Sequence, residues 1–288
     1  MNHGRGAAAA LLCLLFAGTA AAQKGQQVKV HLTRDPALRS SAALVLDATG
    51  SSVLYARRSD VAMPIASITK LMTSLVVMEA GQPLDEPVEI TTEDVAHGKG
   101  AFSRLTPGTV LSRGDLMHLA LMSSENRAAH ALGRTYPGGL EACVAAMNAK
   151  ARELGMASSR FVEPTGLSDE NVASAEDLSK LVMAAAKVPA IREYSTDSSY
   201  DVRVGRQRLT YHSTDSLTSK RDWDIVVQKT GYIAEAGRCL VMQTVIEART
   251  VVIVLLNSYG KRSRVADARR IRRWMESFEH AHGSAAAT

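Results

Sequence analysis

One short segment combines a hydroxyl and an amine at a spacing that suits nucleophilic catalysis. Within Pro64–Met72, Ser67 stands at a predicted helix start and Lys70 follows three residues later, so both side chains lie on one face. Apolar residues point to most sides of this helix, which predicts that it is buried. Burial should lower the pKa of Lys70 and leave a neutral amine that can take the Ser67 proton. The helix N-terminus would also stabilise an oxyanion near the Ser67 amide.

The same Ser-x-x-Lys spacing recurs at Ser258–Lys261, so the spacing alone is not specific. The second copy follows a predicted strand and contains a Tyr-Gly turn, where nothing would bury the amine beside the hydroxyl. Ser67 instead begins a buried helix. We therefore expect Ser67 to be the nucleophile.

A second polar set lies at a predicted junction between two helices, at Ser124 and Asn126. The hydroxyl could pass a proton towards a leaving nitrogen, and the amide could hold a substrate carbonyl or the Lys70 amine. As a lone pattern, Ser-x-Asn is more often an ordinary helix cap. The assignment therefore depends on the other two sets.

A third set, Lys229, Thr230 and Gly231, lies on a predicted strand. The cation and the hydroxyl would bind a carboxylate, and the glycine would let a substrate backbone approach closely. The amide of Tyr232 could complete an oxyanion hole with that of Ser67. Alone, Lys-Thr-Gly at a strand edge is more often a solvated turn.

The segments that would position these residues come from both ends of the chain. Five apolar, β-favouring runs are predicted strands: Ala42–Leu46, Val53–Ala56, Ile225–Val227, Cys239–Ile246 and Val251–Leu256. The first two are separated by residues of a tight reversal, Asp47–Ser51, and so form a hairpin. The chain ends should together build one five-stranded antiparallel sheet.

The middle of the chain has helical spacing. Helix starts at Ser112 and Ser174 resemble capping boxes, and Gly155 and Pro189 are plausible stops. A last amphipathic segment would cover the sheet, with apolar residues at 3–4 spacing: Ile271, Trp274, Met275 and Phe278. The pattern predicts an α/β (α+β) fold, in which a sheet with covering helices packs beside a mostly helical lobe.

The N-terminus has the layout of a signal peptide, with Arg5, the apolar run Ala7–Ala17 and small residues to Ala22. The run is too short to span a membrane, so we expect removal after Ala22, no transmembrane anchor, and an exported, periplasmic product. The expected organisation is a signal peptide at 1–22, an N-terminal extension at 23–40, a catalytic domain at 41–280 and a flexible tail at 281–288.

Composition disfavours several other classes. The net charge of +5 fits an acidic polymer such as a cell wall, or only good solubility. The basic run Arg262–Arg273 suits a solvated helix face without interleaved aromatics, so we expect no nucleic-acid binding. The eight histidines are scattered, and we expect neither a metal nor a cofactor. Cys143 and Cys239 could pair in an oxidising compartment, but two buried thiols are the default.

In combination and in this order, Ser-x-x-Lys, Ser-x-Asn and Lys-Thr-Gly resemble the set found in penicillin-binding proteins and serine β-lactamases. From Ala42 to Phe278 the chain resembles the low-molecular-mass penicillin-binding proteins. Three segments carry a nearer likeness to the D-alanyl-D-alanine endopeptidases (penicillin-binding protein 7-like): Leu121–Ala129, Arg160–Leu167 and Ala236–Met242. Glu125 also stands where carboxypeptidases of this group usually have a small residue.

The resemblance implies a transpeptidase-like fold and an acyl-enzyme route. Ser67 would attack a D-alanyl carbonyl of a peptidoglycan stem peptide with Lys70 as base, and β-lactams would be covalent inhibitors. An endopeptidase would release a cross-linking amine, and a carboxypeptidase a terminal D-Ala. The chain stops soon after Phe278, so we expect a soluble or loosely wall- or membrane-associated enzyme without a further β-rich domain.

Two alternatives share the pocket. A β-lactamase needs a group that activates water, and Glu163 is the candidate, but it lacks the Glu-x-x-Leu-Asn arrangement of class A enzymes. We interpret Pro164 and Gly166 as residues that shape a loop. A non-catalytic β-lactam sensor would bury Lys70 at an uncompensated cost, and such sensors often carry a transmembrane partner domain.

Overall fold

The computed structural model describes Met1 and residues 35–49, 52–96 and 102–285, with side chains as far as Ser277. The predicted signal peptide 1–22, residues 23–34 of the N-terminal extension and residues 286–288 of the tail lie outside the described residues. The side chain of Phe278, predicted to pack on the sheet, lies outside them too.

Strands and helices follow one another in mixed order. The strands are β1 Ser40–Asp47, β2 Ser52–Arg57, β3 Met63–Pro64, β4 Pro87–Glu89, β5 Val110–Ser112, β6 Val172–Ala173, β7 Ser199–Val204, β8 Gln207–His212, β9 Asp224–Ile233, β10 Gly237–Ile246 and β11 Arg249–Ser258. The helices are α1 Thr69–Glu79, α2 Arg113–Met122, α3 Asn126–Arg134, α4 Gly139–Glu153, α5 Ala175–Ala185, α6 Pro189–Thr196 and α7 Ser263–Ala285. Two 3-10 turns span Ala66–Ile68 and Thr92–Asp94.

The main sheet joins the two chain ends, as predicted. Its strand order is β2-β1-β11-β10-β9, and each neighbouring pair is antiparallel. Along β1, Leu44 contributes to the core shared with the helical lobe, whereas Val45 contributes to the core under α7. Consecutive side chains of a strand point to opposite faces of the sheet. Because consecutive residues of β1 are apolar, both faces of the sheet must be covered.

Helix α7 provides the cover on one face. Ile271, Trp274 and Met275 are buried in the core that also contains Val45 and Ile253 of the sheet. The predicted amphipathic cover is therefore confirmed for these three residues. The helix continues to Ala285, through part of the segment predicted as a tail.

The helix boundaries confirm most of the predicted signals. Ser112 caps α2 in a capping box, and Ser174 caps α5 by accepting a hydrogen bond from Asp177 N. Gly155 follows the end of α4. Pro189 was expected as a stop but is the first residue of α6, because its fixed φ suits the first helical turn. No helix of the described part of the chain is long and apolar enough to cross a membrane.

Candidate active site

The Ser67 side chain lies on the 3-10 turn that leads into α1, with Ala66 at a strained φ of 49°. Two glycines let distant segments close on this turn. A Cβ at Gly166, where φ is +80°, would lie 2.0 Å from the Ala66 carbonyl oxygen, and a Cβ at Gly231 would lie 2.8 Å from the Ile65 oxygen. Gly231 therefore admits the turn that carries Ser67; its predicted role in admitting substrate backbone stays a prediction.

Lys70 is completely buried, and α1 is buried from Thr69 to Val77, as predicted. Its Nζ lies 3.0 Å from Ser67 Oγ, 2.8 Å from Asn126 Oδ1 and 2.5 Å from the Thr165 carbonyl oxygen. Burial lowers the pKa of Lys70 from 10.5 to about 8, although the charges of Glu163 and Glu125 oppose this fall. The direction of the shift agrees with the sequence prediction, and with a pKa of about 8 the neutral amine is the minor form at pH 7 and the major form above pH 8.

The three neighbours of the Lys70 amine determine where its lone pair can point. The Asn126 amide oxygen and the Thr165 carbonyl oxygen only accept hydrogen bonds, whereas the Ser67 hydroxyl can also donate one. A neutral amine has two N–H donors and one lone pair. Its donors therefore satisfy the two oxygens, and the lone pair remains for the Ser67 proton.

Glu163 builds the loop that presents the Thr165 carbonyl. Its carboxylate accepts hydrogen bonds from Thr165 N and Gly166 N, both at 2.6 Å, and from Asn171 Nδ2 at 2.7 Å. The Thr165 hydroxyl donates a further bond at 2.6 Å. A carboxylate with these four hydrogen bonds stabilises the loop. This geometry agrees with the view that Glu163 is not the water-activating group of a β-lactamase.

The junction between α2 and α3 holds the Ser-x-Asn set. Ser124 adopts a left-handed φ of 62°, and Asn126 begins α3 with its amide oxygen on Lys70. Glu125 caps α3 because its Oε1 accepts hydrogen bonds from Arg127 N at 3.2 Å and from Ser103 Oγ. Burial raises the pKa of Glu125. Ser124 lines a pocket of about 280 Å³ beside it, and no hydrogen bond among the described residues joins Ser124 to the buried amine.

Lys229, Thr230 and Gly231 lie on β9, the edge strand of the main sheet. Lys229 is fully buried and donates to the Thr230 carbonyl at 3.0 Å, so the solvated-turn alternative is wrong. Burial lowers its pKa well below the usual value, and the nearby positive charges of Lys70 and Arg264 add to this. The ring of Tyr232 is exposed.

Three residues beside β9 were missed by sequence reasoning. Arg264, on α7, donates to the Gly231 carbonyl at 2.8 Å, and Thr214 shares a 2.6 Å hydrogen bond with the Thr230 hydroxyl. Asp215, almost completely buried, supplies a negative charge that partly offsets the fall in the pKa of Lys229. Arg264 stands in a run of basic residues, so its type carried no signal that distinguished it.

The second Ser-x-x-Lys copy forms no such site. Ser258 is buried at the end of β11, and its hydroxyl lies 2.6 Å from that of Ser40, which donates to Asp267 at 2.7 Å. Lys261 is exposed. The preference for Ser67 over Ser258 therefore agrees with the geometry.

The two cysteines of the described residues are not bonded to each other. Cys143 and Cys239 are free and buried, which confirms the prediction of two buried thiols. In the described part of the chain, no group of three or more His, Cys, Asp or Glu residues could hold a metal ion.

Comparison with known proteins gives consistent similarities. A family model described as D-alanyl-D-alanine carboxypeptidase matches residues 29–260. A D-alanyl-D-alanine endopeptidase of Pseudomonas aeruginosa is 46% identical over 251 residues, which cover 86% of this chain and 81% of that protein. One of Escherichia coli is 43% identical over 244 residues, with coverages of 84% and 79%. The crystal structure of a Streptomyces DD-transpeptidase shares the fold, with a TM-score of 0.79, 24% identity and coverages of 84% and 98%.

Proposed function

Because the chain belongs to the D-alanyl-D-alanine carboxypeptidase family, we propose that it cuts D-alanyl cross-links in peptidoglycan through an acyl-enzyme on Ser67. The chain is a serine D-Ala-D-Ala peptidase. One observation carries the assignment of the nucleophile: the fully buried amine of Lys70 lies 3.0 Å from the Ser67 hydroxyl, with its other two contacts on oxygens that only accept.

The first half of the proposed reaction forms the ester. Ser67 Oγ attacks the D-alanyl carbonyl carbon while Lys70 Nζ takes the hydroxyl proton. The amides of Ser67 and Tyr232 would stabilise the oxyanion. The C–N bond then breaks, and the leaving nitrogen receives a proton from Lys70, with Ser124 as the group that passes it on. Asn126 keeps the amine in place through its 2.8 Å contact.

The second half regenerates the enzyme. Water attacks the ester carbonyl as Lys70 takes one of its protons, the acyl C–O bond breaks, and Lys70 returns that proton to Ser67 Oγ. The products are a peptide with a new D-alanyl carboxylate and an amine. Lys229 and Thr230 would hold a substrate carboxylate next to Gly231. A carboxylate would also favour the ammonium form of Lys229, whose pKa burial has lowered.

The leaving amine distinguishes the two candidate activities. The relatives with the identities given above are named endopeptidases, which supports release of the side-chain amine of a cross-linking diamino acid. The family description favours a second candidate, a carboxypeptidase that releases a terminal D-Ala. The nucleophile, base and oxyanion groups would be the same in both.

Export of the chain is part of the proposal. Peptidoglycan lies outside the cytoplasm, so a signal peptide at 1–22 followed by a catalytic domain at 41–280 fits the substrate. β-Lactams, which carry a reactive acyl group, would acylate Ser67 and act as covalent inhibitors.

Mass spectrometry of a purified cross-linked muropeptide dimer tests this function, with residues 23–288 as the enzyme. Two monomers are expected without penicillin and intact dimer with it. Loss of a terminal alanine alone would make the enzyme a carboxypeptidase. An unchanged dimer together with no covalent penicillin adduct would refute both activities.

Variants test the nucleophile separately. Ser67→Ala should lose both dimer cleavage and penicillin labelling, because no covalent path remains. Ser258→Ala is the matched control, since it removes the serine of the second Ser-x-x-Lys copy, and it should still be labelled. Labelling of Ser67→Ala would show that another residue is the nucleophile.

A further inference from the structure

A cleft of about 650 Å³ lies between α7 and the segment 214–220, outside the Ser67 pocket. We call it the basic cleft, because seven cationic side chains line it. Arg264 and Arg270 are half-buried, and the other five are Lys220, Lys261, Arg262, Arg269 and Arg273. All five residues are exposed. The interval from Arg262 to Arg273 extends about 16 Å at the rise of an α-helix, so the charges form a row and not a single point.

Most of the positive charge of the basic cleft is not neutralised by neighbouring side chains. Among the described residues, no acceptor side chain pairs with any of its five exposed cations, whereas the half-buried Arg270 pairs with Asp267. The nearby carboxylates are already engaged: Asp267 binds Arg270 at 2.7 Å, and Glu276 binds Arg272 at 2.7 Å. Asp222 also faces Arg272, at 3.6 Å.

One end of the basic cleft adjoins the strand of the third polar set. Thr214 lines the cleft and shares a 2.6 Å hydrogen bond with Thr230. Arg264 also lines it, and donates to the Gly231 carbonyl at 2.8 Å. A substrate bound along β9 can therefore continue into the basic cleft without leaving the protein surface.

We propose that the basic cleft is a secondary binding site for a carboxylate-bearing strand of the peptidoglycan polymer, which it holds while Ser67 acts on one bond. This inference rests on the proposed function. Stem peptides carry free carboxylates, and a row of exposed cations binds a repeating anion at several points. Affinity from such a row should be greater for the polymer than for a single small fragment.

Two other anionic partners fit the lining less well. Among the residues that the structure describes, no aromatic side chain lines the basic cleft, so nucleic-acid bases have no stacking surface there. A membrane-binding surface combines basic residues with bulky apolar residues that insert into lipid, whereas the apolar side chains in this lining are only Val265 and Ala266. A carboxylate polymer needs cations alone.

The test is co-sedimentation of full-length mature protein with insoluble peptidoglycan, in a Ser67→Ala background so that the polymer is not cut. The triple variant R262Q/R269Q/R273Q removes three charges of the basic cleft. R152Q/R203Q/R206Q is the matched control, since these arginines are exposed, pair with no acceptor among the described residues and lie outside the cleft.

The cleft triple should bind the polymer about tenfold more weakly, corresponding to about 1.4 kcal/mol. The control triple should bind as the parent does, and raised salt should narrow the gap between them. Equal losses in both triples would mean that only net charge matters, and no loss in the cleft triple would mean that the basic cleft is not used. Either result overturns the proposal.

Further arms identify the ligand and separate this proposal from the function it rests on. Peptidoglycan whose carboxylates are converted to neutral amides should bind poorly; full retention would refute carboxylate recognition. Phosphatidylglycerol vesicles that bind better than peptidoglycan would instead assign the site to a membrane. With Ser67 restored, the cleft triple should keep penicillin labelling and soluble-dimer cleavage. Loss of cleavage in the parent would refute the proposed function, while binding remains measurable.

Discussion

Replacing Lys70 with methionine measures what it costs the fold to hold a buried amine beside Ser67. In the native protein the side chain is completely buried, and burial lowers the pKa of Lys70 to about 8. In the unfolded chain the amine returns to water, where its pKa is near 10.5. Between these two values the unfolded state binds more protons than the native state. The free energy of unfolding should therefore rise with pH across this window.

The size of this effect follows from the two pKa values. The penalty is fully present below pH 8 and disappears above pH 10.5, and at 1.36 kcal/mol for each pH unit it amounts to about 3 kcal/mol. Lys70→Met removes it. The variant also leaves Asn126 Oδ1 and the Thr165 carbonyl without their donor, which costs about 1–3 kcal/mol for each buried group. That second cost is the same at every pH, so it does not change the slope.

Urea unfolding at pH 7, 8, 9 and 10 gives the required free energies by linear extrapolation. The wild-type protein should gain most of the 3 kcal/mol relative to Lys70→Met across this range. Lys187→Met is the control, because Lys187 is exposed and should be solvated in both states. Parallel pH dependences of wild type and Lys70→Met would refute the argument that burial lowers the pKa of this amine. Penicillin labelling of Lys70→Met should be lost throughout.

Three other outcomes follow from the geometry. Glu125→Gln should move the acid limb of penicillin acylation to lower pH, because the Glu125 carboxylate raises the pKa of the buried lysine and a glutamine oxygen can still cap α3; superimposable pH–rate profiles would contradict this. Gly166→Ala should lower the free energy of unfolding by roughly 2–5 kcal/mol, since its methyl would lie 2.0 Å from a backbone oxygen. Gly155→Ala has a similar φ and open space, so it should cost about 1–2 kcal/mol, and equal losses would exclude the clash. Burial raises the thiol pKa of Cys143 to about 12 and that of Cys239 to about 11, so a thiol reagent should modify the protein only after it unfolds. Stoichiometric labelling of the folded protein would show that the two thiols are accessible.

The sheet and the Ser67–Lys70 pair were predictable from the sequence because both depend on side-chain type and periodicity. Continuous apolar runs in β1 and β11 require a sheet that is buried on both faces, and a lone lysine in an apolar helix requires a lowered pKa. The hairpin of β7 and β8 was missed although Ser199–Val204 alternates polar and apolar residues, with Val202 buried and Tyr200 and Val204 partly buried. This alternation is a strand signal that sequence reasoning overlooked.

The contact that the sequence could not predict is the one to a backbone carbonyl. Every residue has the same carbonyl, so Thr165 carries no chemical signal for its 2.5 Å contact with Lys70. What the sequence does contain is the means of building the loop: a glutamate whose carboxylate accepts the following amides, and then Gly166 at positive φ. Recognising the loop from these residues is possible, whereas its partner is known only once the chain is folded.

The position of the nucleophile is therefore set by segments far from it in sequence. Gly166 and Gly231 bring two separate segments against the turn of Ser67, with Cβ positions that would lie 2.0 Å and 2.8 Å from backbone oxygens of that turn. Backbone cannot yield as a flexible side chain does, so any larger residue at either position must displace the turn or the segment. The Lys70 amine contacts Ser67, Asn126 and the Thr165 carbonyl, which lie on three different segments. A displacement of any of these segments therefore changes the contacts of the amine. Small changes in the loop at 163–166 should consequently alter acylation even though no side chain of that loop reacts.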